Sequence, residues 1–97
     1  MKDSMETKAR SFDVGQTVIT LRAFDAVHPE DLLAALARHA RCDWGEAPQV
    51  AQEYVARNEM GVRNGGRVYS MYQDRSGTEF WIFTRGGCTT IGLDGEI

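Results

Sequence analysis

The residues of this chain whose types and spacing could do chemistry are concentrated at positions 39–45. A nucleophilic cysteine needs a histidine base within hydrogen-bond reach and a third group that orients the base. His39 and Cys42 are three positions apart, so they could share a helical face, with Asp43 as the third group. Catalytic pairs usually come from separate elements, and a structural interpretation is therefore favoured. In it, Trp44 plugs the core, Asp43 caps or turns the chain, Gly45 allows a bend, and His39 bonds the helix end or a nearby carboxylate.

A metal site is the second chemical possibility. Four residues have side chains that could ligate a metal: His28, His39, Cys42 and Cys88. Their spacing matches no zinc pattern, and the chain has no Cys-x-x-Cys pair. Two cysteines do not make a disulfide framework, and we interpret both as reduced thiols. The sequence therefore predicts no metal, no cofactor and no catalytic residue. We expect a protein that is not an enzyme.

Composition limits the classes of function. The chain has 97 residues, 42% of them hydrophobic, and a net charge of −3. This length predicts one domain, at residues 14–97, after a flexible N-terminal tail at residues 1–13. No apolar run reaches the roughly 18–20 residues that span a bilayer, so we expect a cytoplasmic protein with no membrane partner. Because phosphate binding needs a positive patch, the acidic balance argues against direct contact with nucleic acid.

The elements that must position these residues are three helices and four strands. Helices are predicted at residues 21–27, 29–41 and 48–63, with Thr20 and Pro29 as start signals. Strands are predicted at residues 16–20, 67–72, 78–84 and 88–93, and short Gly-containing turns make the last three a C-terminal β-meander at 67–93. The predicted fold is α+β, with two to three helices packed on a small antiparallel sheet of three to four strands.

The middle strand of the meander is apolar on both faces. Alternation places Phe80 and Ile82 on one face and Trp81 and Phe83 on the other. Either a helix and the N-terminal strand cover the second face, or an aromatic patch that includes Tyr69 stays open. An open patch would be a surface for a partner or for a second copy of the chain, as in a homodimer. The sequence leaves both alternatives in place.

The order of these pieces resembles a family of small bacterial proteins carried on plasmids and integrated mobile elements, described as plasmid-related proteins. The matching residues span nearly all of residues 15–93 and are Gly15-Gln16, Val18, Thr20, Leu36, Arg38-His39, Asp43-Trp44-Gly45, Asn58, Gly65-Gly66-Arg67, Ser70, Tyr72, Trp81-Ile82, Thr84 and Thr89-Thr90. The chain departs from the family pattern in three places. Cys42 stands where the family usually has Gly, and the turn at residues 85–88 lacks the family's acidic residue. The last strand is followed by Leu93-Asp94-Gly95, where the family has Leu-Pro and acidic residues.

What this resemblance implies is a context of mobile DNA in a bacterial host cell, where many small acidic proteins counter host defence. The expected function is a small non-enzymatic binding protein of a mobile genetic element. It would inhibit a bacterial defence nuclease complex, as anti-CRISPR and anti-restriction proteins do, by occluding a nucleic-acid-binding surface. The expected partner-binding residues are Tyr69, Trp81, Phe83 and Arg85, with Asp74 and Glu79 as an acidic rim.

Two other functions stay open at this point. One is a nucleic-acid-binding regulator of the mobile element, which would use Arg67, Arg75 and Arg85. The other is a small enzyme centred on His39, Cys42 and Asp43.

Overall fold

The computed structural model describes residues 11–45 and 48–97. In chain order the elements are β1 (Gln16–Ile19), α1 (Leu21–Ala26), α2 (Pro29–Ala40), α3 (Pro48–Asn64), β2 (Val68–Gln73), β3 (Glu79–Arg85) and β4 (Cys88–Leu93). The predicted α+β class and the C-terminal meander are confirmed. Within the described part of the chain, no helix is long and apolar enough to cross a membrane.

The four strands form one sheet in the order β1-β4-β3-β2. The meander strands β2, β3 and β4 pair antiparallel, as predicted, while β1 pairs with β4 in parallel. The sheet is therefore mixed rather than wholly antiparallel. A parallel pair needs a long connection, and the three helices and two strands between β1 and β4 supply one.

Helix α2 has strong signals at both ends. Pro29 occupies its first turn, Glu30 and Asp31 follow there, and the His28 Nδ1 accepts a hydrogen bond of 3.2 Å from the Glu30 N–H. At its C-terminus the Cys42 N–H donates to the His39 carbonyl (3.0 Å) and the Asp43 N–H donates to the Arg38 carbonyl (2.9 Å). These two bonds form a Schellman motif, in which Cys42 has the left-handed φ of 66°.

The hydrophobic core lies between α2 and one face of the sheet. Burial alternates along β2 and β3, so Tyr72, Phe80 and Ile82 point to this face. The core cluster consists of Val27, Leu32, Ala35, Tyr72, Phe80, Ile82 and Ile91. Since successive strand residues point to opposite faces, the same alternation turns Tyr69, Trp81 and Phe83 away from this core.

The outer edge of β2 is closed by side-chain and loop contacts. The Asn58 Oδ1 accepts from the Tyr69 N–H (2.9 Å) and its Nδ2 donates to the Tyr69 carbonyl (2.5 Å). Next along the edge, the Met71 N–H donates to the Trp44 carbonyl at 3.4 Å, and Gly45 forms a parallel bridge to Met71. A Cβ at Gly45 would lie 1.8 Å from the Met71 carbonyl oxygen, so only glycine fits this approach.

The structure describes three residues of the predicted tail, 11–13. Within them, the Phe12 N–H donates to the Ala40 carbonyl at 3.0 Å, and the Phe12 ring packs edge-on against His39 at 5.2 Å between ring centroids. Phe12 therefore contacts the end of α2. Residues 1–10 of that prediction lie outside the described residues.

Candidate partner-binding surface

The second face of the sheet carries a half-buried aromatic cluster. Tyr69 and Phe83 lie directly opposite each other on β2 and β3, and their rings stack with centroids 4.4 Å apart and planes 23° apart. The next pair on the same face is Met71 and Trp81. All four side chains are partly exposed, whereas Phe80 and Ile82 on the opposite face are fully buried. The two faces of β3 therefore differ: one is core and the other keeps solvent access.

A cleft of about 400 Å³ opens beside this cluster. It is lined by Arg57, Tyr69, Trp81, Leu93, Asp94, Gly95 and Ile97. The apolar part of the cleft combines two aromatic rings with two aliphatic side chains, while Arg57 and Asp94, both exposed, offer one positive and one negative group. A concave apolar surface with a few polar groups at its rim suits the insertion of a partner side chain.

Glu96 fixes the C-terminal wall of this cleft. The Glu96 Oε1 accepts hydrogen bonds from the Thr20 hydroxyl (2.7 Å) and the Leu93 N–H (2.8 Å). The Leu93 N–H and the Thr20 hydroxyl favour the ionised carboxyl and lower the pKa of Glu96 below its usual range. A Cβ at Gly92 would contact Ile97 and Thr20 at 3.2 Å, so the chain after β4 folds back tightly over this strand.

The charged residues predicted for this surface divide into two groups. Arg85 and Glu79 are exposed at opposite ends of β3 and, by alternation, share a face with Trp81. The Gln73 Nε2 contacts the Glu79 carboxylate at 3.4 Å. This face therefore has a basic end and an acidic end on either side of the aromatic cluster.

Asp74 has a different position, in the turn between β2 and β3. It is 7% exposed, and its carboxylate accepts hydrogen bonds from the backbone N–H groups of His28, Ser76 and Thr78 at 2.8–3.0 Å. These donors, the His28 N–H first, lower the pKa of Asp74 below its usual range. Its carboxylate closes the turn and ties it to α2, so we do not assign Asp74 to the acidic rim.

Arg75 extends the same connection. Its guanidinium pairs with Asp31 at 2.9 Å and with Glu30 at 3.1 Å. The hydrogen bonds from Arg75 lower the pKa of Asp31 to about 2. Of the three arginines expected in the nucleic-acid hypothesis, Arg75 is therefore bound to carboxylates of this chain.

The segment at residues 39–45, for which a structural interpretation was favoured over a catalytic one, contributes His39 to a buried polar network. The His39 Nδ1 lies 2.5 Å from the Ser70 Oγ, and its Nε2 lies 2.9 Å from the Thr84 Oγ1. The Thr84 Oγ1 is 2.6 Å from the Thr89 Oγ1, which donates to the Val14 carbonyl at 2.5 Å. His39 is completely buried. The expectation that it bonds the helix end or a carboxylate was wrong: its partners are hydroxyls on β2 and β3.

The Thr89 end of this network fixes the direction of its hydrogen bonds as far as the His39 Nε2. Thr89 donates to a carbonyl, so its oxygen must accept the Thr84 proton, and the Thr84 oxygen must accept from His39. Nε2 therefore carries a proton. Burial lowers the pKa of His39 to about 4, so the imidazole is neutral at pH 7 and Ser70 donates to Nδ1.

The other residues of the segment also serve the fold. The Arg38 guanidinium binds the Asp43 carboxylate at 2.8 Å and lowers its pKa, and the Tyr72 hydroxyl donates to the Asp43 carbonyl at 2.7 Å. Trp44 is half-buried with its ring 5.8 Å from that of His39. Among the described side chains, those of residues 11–45 and 55–97, no group of three or more His, Cys, Asp or Glu could hold a metal ion.

Sequence reasoning missed three contributors to the surface, Arg57, Asp94 and Ile97. They come from α3 and from the C-terminal turn, which only the tertiary fold brings to the sheet. It also missed the roles of Ser70, Thr84 and Thr89, because hydroxyl residues in strands are common and carry no signal of burial.

No family model, curated protein or solved structure matches this chain. The family resemblance therefore stays an expectation. Most residues that carry it have scaffold roles: His39, Ser70 and Thr84 form the buried network, and Asn58 and Gly45 close the β2 edge. Trp81 is different, because it points to the cleft.

Proposed function

We propose that this chain is a non-enzymatic binding protein that docks on a protein partner through the aromatic face of its sheet. The observation that carries the proposal is the half-exposed cluster of Tyr69, Phe83 and Trp81 with the cleft beside it. Partly exposed aromatic rings on a rigid sheet are the side chains that dominate binding energy at protein interfaces. Because Tyr69 and Phe83 already stack, they lose little conformational freedom when a partner covers them.

The proposed partner is a bacterial defence nuclease complex, and the proposed effect is occlusion of its nucleic-acid-binding groove. Such a groove is basic, and this chain has a net charge of −3. Glu79 and Asp94 are exposed at the aromatic face, so they would meet basic side chains of the groove. Complementary charge speeds association, while the buried rings slow dissociation. The chain would then act as an anti-CRISPR or anti-restriction protein of a mobile genetic element.

The interior of the molecule supports a binding role over an enzymatic one. Both ring nitrogens of His39 are engaged by Ser70 and Thr84, and the Asp43 carboxylate is held by Arg38. A general base needs a nitrogen within reach of a substrate proton. His39 reaches only hydroxyls of its own fold.

A plating experiment tests the proposed function. The chain would be expressed in bacteria that carry one defined restriction or CRISPR–Cas system at a time, and phage plating efficiency would be measured. We expect protection of the phage in at least one system, with loss of protection for Tyr69→Ala combined with Trp81→Ala. Met60→Ala is the matched control, because Met60 is apolar and 62% exposed on α3. Full protection by the double variant would contradict the proposal, and so would a lack of protection across the panel.

A nucleic-acid-binding regulator is the second candidate. Arg67 and Arg85 are exposed beside the Tyr69–Phe83 stack, a pairing of charge and rings that single-stranded nucleic acid can use. It predicts retention of DNA or RNA in a filter-binding assay at low salt, with loss for Arg67→Ala and Arg85→Ala. No retention at low salt would remove this candidate and leave the protein-docking proposal standing.

A further inference from the structure

We propose that the outer edge of β1 is a docking site for a second copy of this chain, paired strand to antiparallel strand. The Gln16 N–H donates to the Gly87 carbonyl (3.0 Å) and the Thr20 N–H donates to the Ile91 carbonyl (2.9 Å). The backbone N–H and C=O groups of a strand point to alternate edges from one residue to the next. Those of residues 16, 18 and 20 therefore point to β4, and those of Thr17 and Ile19 point away from the sheet. Among residues 11–45 and 48–97, no strand pairs with that outer side.

The two edges of the sheet differ: the β1 edge is open and the β2 edge is closed. This difference favours pairing of β1 with β1 of a second copy. The β2 edge is closed by the Asn58 side chain on Tyr69 and by the Trp44 carbonyl on Met71. Pairing of β1 with β2 of another copy, which would continue without end, is therefore blocked. Pairing of β1 with β1 uses the same edge on both copies, so it closes as a two-fold dimer. A closed dimer is one way in which proteins protect an edge strand from open-ended association.

The backbone directions set one register. With the two-fold axis at Val18, Thr17 of each copy lies opposite Ile19 of the other, and each such pair exchanges both of its backbone hydrogen bonds. Val18 of one copy then lies opposite Val18 of the other as a non-hydrogen-bonded pair, with Cα atoms about 4.5 Å apart. This register leaves the bonds between β1 and β4 intact.

The side chains around the edge suit burial against a second copy. Val18 is 43% exposed, Ile19 38%, Leu21 82% and Phe24 68%. Ile19 and Phe24 also line an apolar groove of about 400 Å³ that continues to Leu33. Side chains of this size and exposure offer on the order of 500 Å² a copy, so a dimer that covered all of them would bury on the order of 1,000 Å², the lower limit for a specific interface.

Charge at the ends of β1 agrees with an antiparallel arrangement. Asp13 lies just before the strand and Arg22 just after it, and both are exposed. The two-fold axis brings Asp13 of each copy near Arg22 of the other, an attraction that a parallel pair would not provide. The dimer would be one continuous sheet with both aromatic faces on the same side, and it does not depend on the proposed partner.

Native mass of the full chain in solution, measured by light scattering across a dilution series, is the first test. We expect twice the chain mass of 10.8 kDa. Val18→Asp places two like charges at the two-fold axis and should give a folded monomer. Val55→Asp is the matched control, since Val55 is 41% exposed on α3, and it should remain dimeric. A monomeric wild-type chain, or dissociation by both variants alike, would overturn the proposal.

Cross-linking tests the register. In a background of Cys42→Gly and Cys88→Ser, Val18→Cys should form an intermolecular disulfide with added oxidised glutathione, because a Cα separation of about 4.5 Å permits that bond. Leu21→Cys is more exposed but lies away from the axis, so it should cross-link far less. Equal cross-linking of the two variants would show that the contact is not the β1 pair and would overturn the proposal.

Discussion

At the scale of single residues, the backbone conformation of Cys42 explains why glycine would suit this position. The resembled family usually has glycine at this position. Cys42 follows α2 in the left-handed region, with φ of 66°, where side chains other than glycine are disfavoured. The backbone therefore explains why glycine suits the position, and it identifies a site at which this chain is strained.

We predict that Cys42→Gly raises the free energy of unfolding by up to about 1 kcal/mol, because it removes the left-handed penalty while keeping the Schellman bonds. Urea denaturation measures this change. Cys88→Gly is the matched control: Cys88 is the exposed first residue of β4 and has no left-handed φ to relieve, so glycine there should not raise stability. If Cys42→Gly is destabilising, the side chain at this position contributes more than the strain costs.

Protonation of His39 makes the stability of the fold depend on pH. Burial lowers its pKa from 6.5 to about 4 in the folded state, so the unfolded chain binds a proton more readily between these values. Stability from this group is complete above pH 6.5 and is lost as the pH falls toward 4. We expect a loss of about 3 kcal/mol over this window, measured by urea denaturation at a series of pH values.

A comparison of the two histidines controls this prediction. His28→Asn keeps an N-cap for α2 and should keep the loss of stability below pH 6.5. His39→Gln should lower stability at neutral pH and remove most of that loss. A wild-type stability that is flat between pH 6.5 and 4 would show that His39 protonates without cost.

At the scale of elements, the sequence predicted the features that depend on neighbouring residues: where helices begin and which face of a strand is buried. Pro29, Glu30 and Asp31 mark the start of α2, and the alternation in β2 and β3 correctly separated core positions from the second face. The buried partners of His39 could not be predicted, since Ser70 and Thr84 are 31 and 45 residues away. The parallel pairing of β1 with β4 was missed for the same reason.

The face that α2 buries gives a second example. Apolar residues of α2 do not all point inward: Leu33 is 65% exposed, whereas the polar His39 is fully buried. The helix turns His39 inward because two strand hydroxyls satisfy its ring. Aromatic residues and arginines indicated the candidate surface, but Arg57 and Asp94 reach it only through tertiary packing.

Asn58 gives the prediction that belongs to this scale. Asn58→Ala removes both side-chain hydrogen bonds to the N–H and carbonyl of Tyr69 at the β2 edge, so we expect a loss of about 2–3 kcal/mol in unfolding free energy. Asn64→Ala, at the exposed end of α3, should change stability by no more than about 0.5 kcal/mol. Thermal and urea denaturation measure both. An equal effect of the two variants would show that the side-chain bridge to Tyr69 does not stabilise the edge.

At the scale of the whole molecule, the sheet has one covered face and one half-open face. The rings on the half-open face should therefore behave as surface residues. We predict that Tyr69→Ala combined with Trp81→Ala leaves a cooperative unfolding transition and costs about 2–3 kcal/mol, whereas Phe80→Ala alone costs about 3–5 kcal/mol because Phe80 is fully buried. Circular dichroism during thermal unfolding measures this. A double variant that is unfolded at 25 °C would show that both rings belong to the core.

We propose that the aromatic face excludes nucleic acid from a protein partner, and a competition experiment tests this proposal. A defence nuclease complex inhibited in the plating experiment would be purified, and its affinity for labelled target nucleic acid would be measured with increasing amounts of the chain. We expect the chain to weaken nucleic-acid binding competitively. Tyr69→Ala with Trp81→Ala should abolish this effect, and Met60→Ala should preserve it. Unchanged nucleic-acid affinity in the presence of bound chain would contradict the proposal.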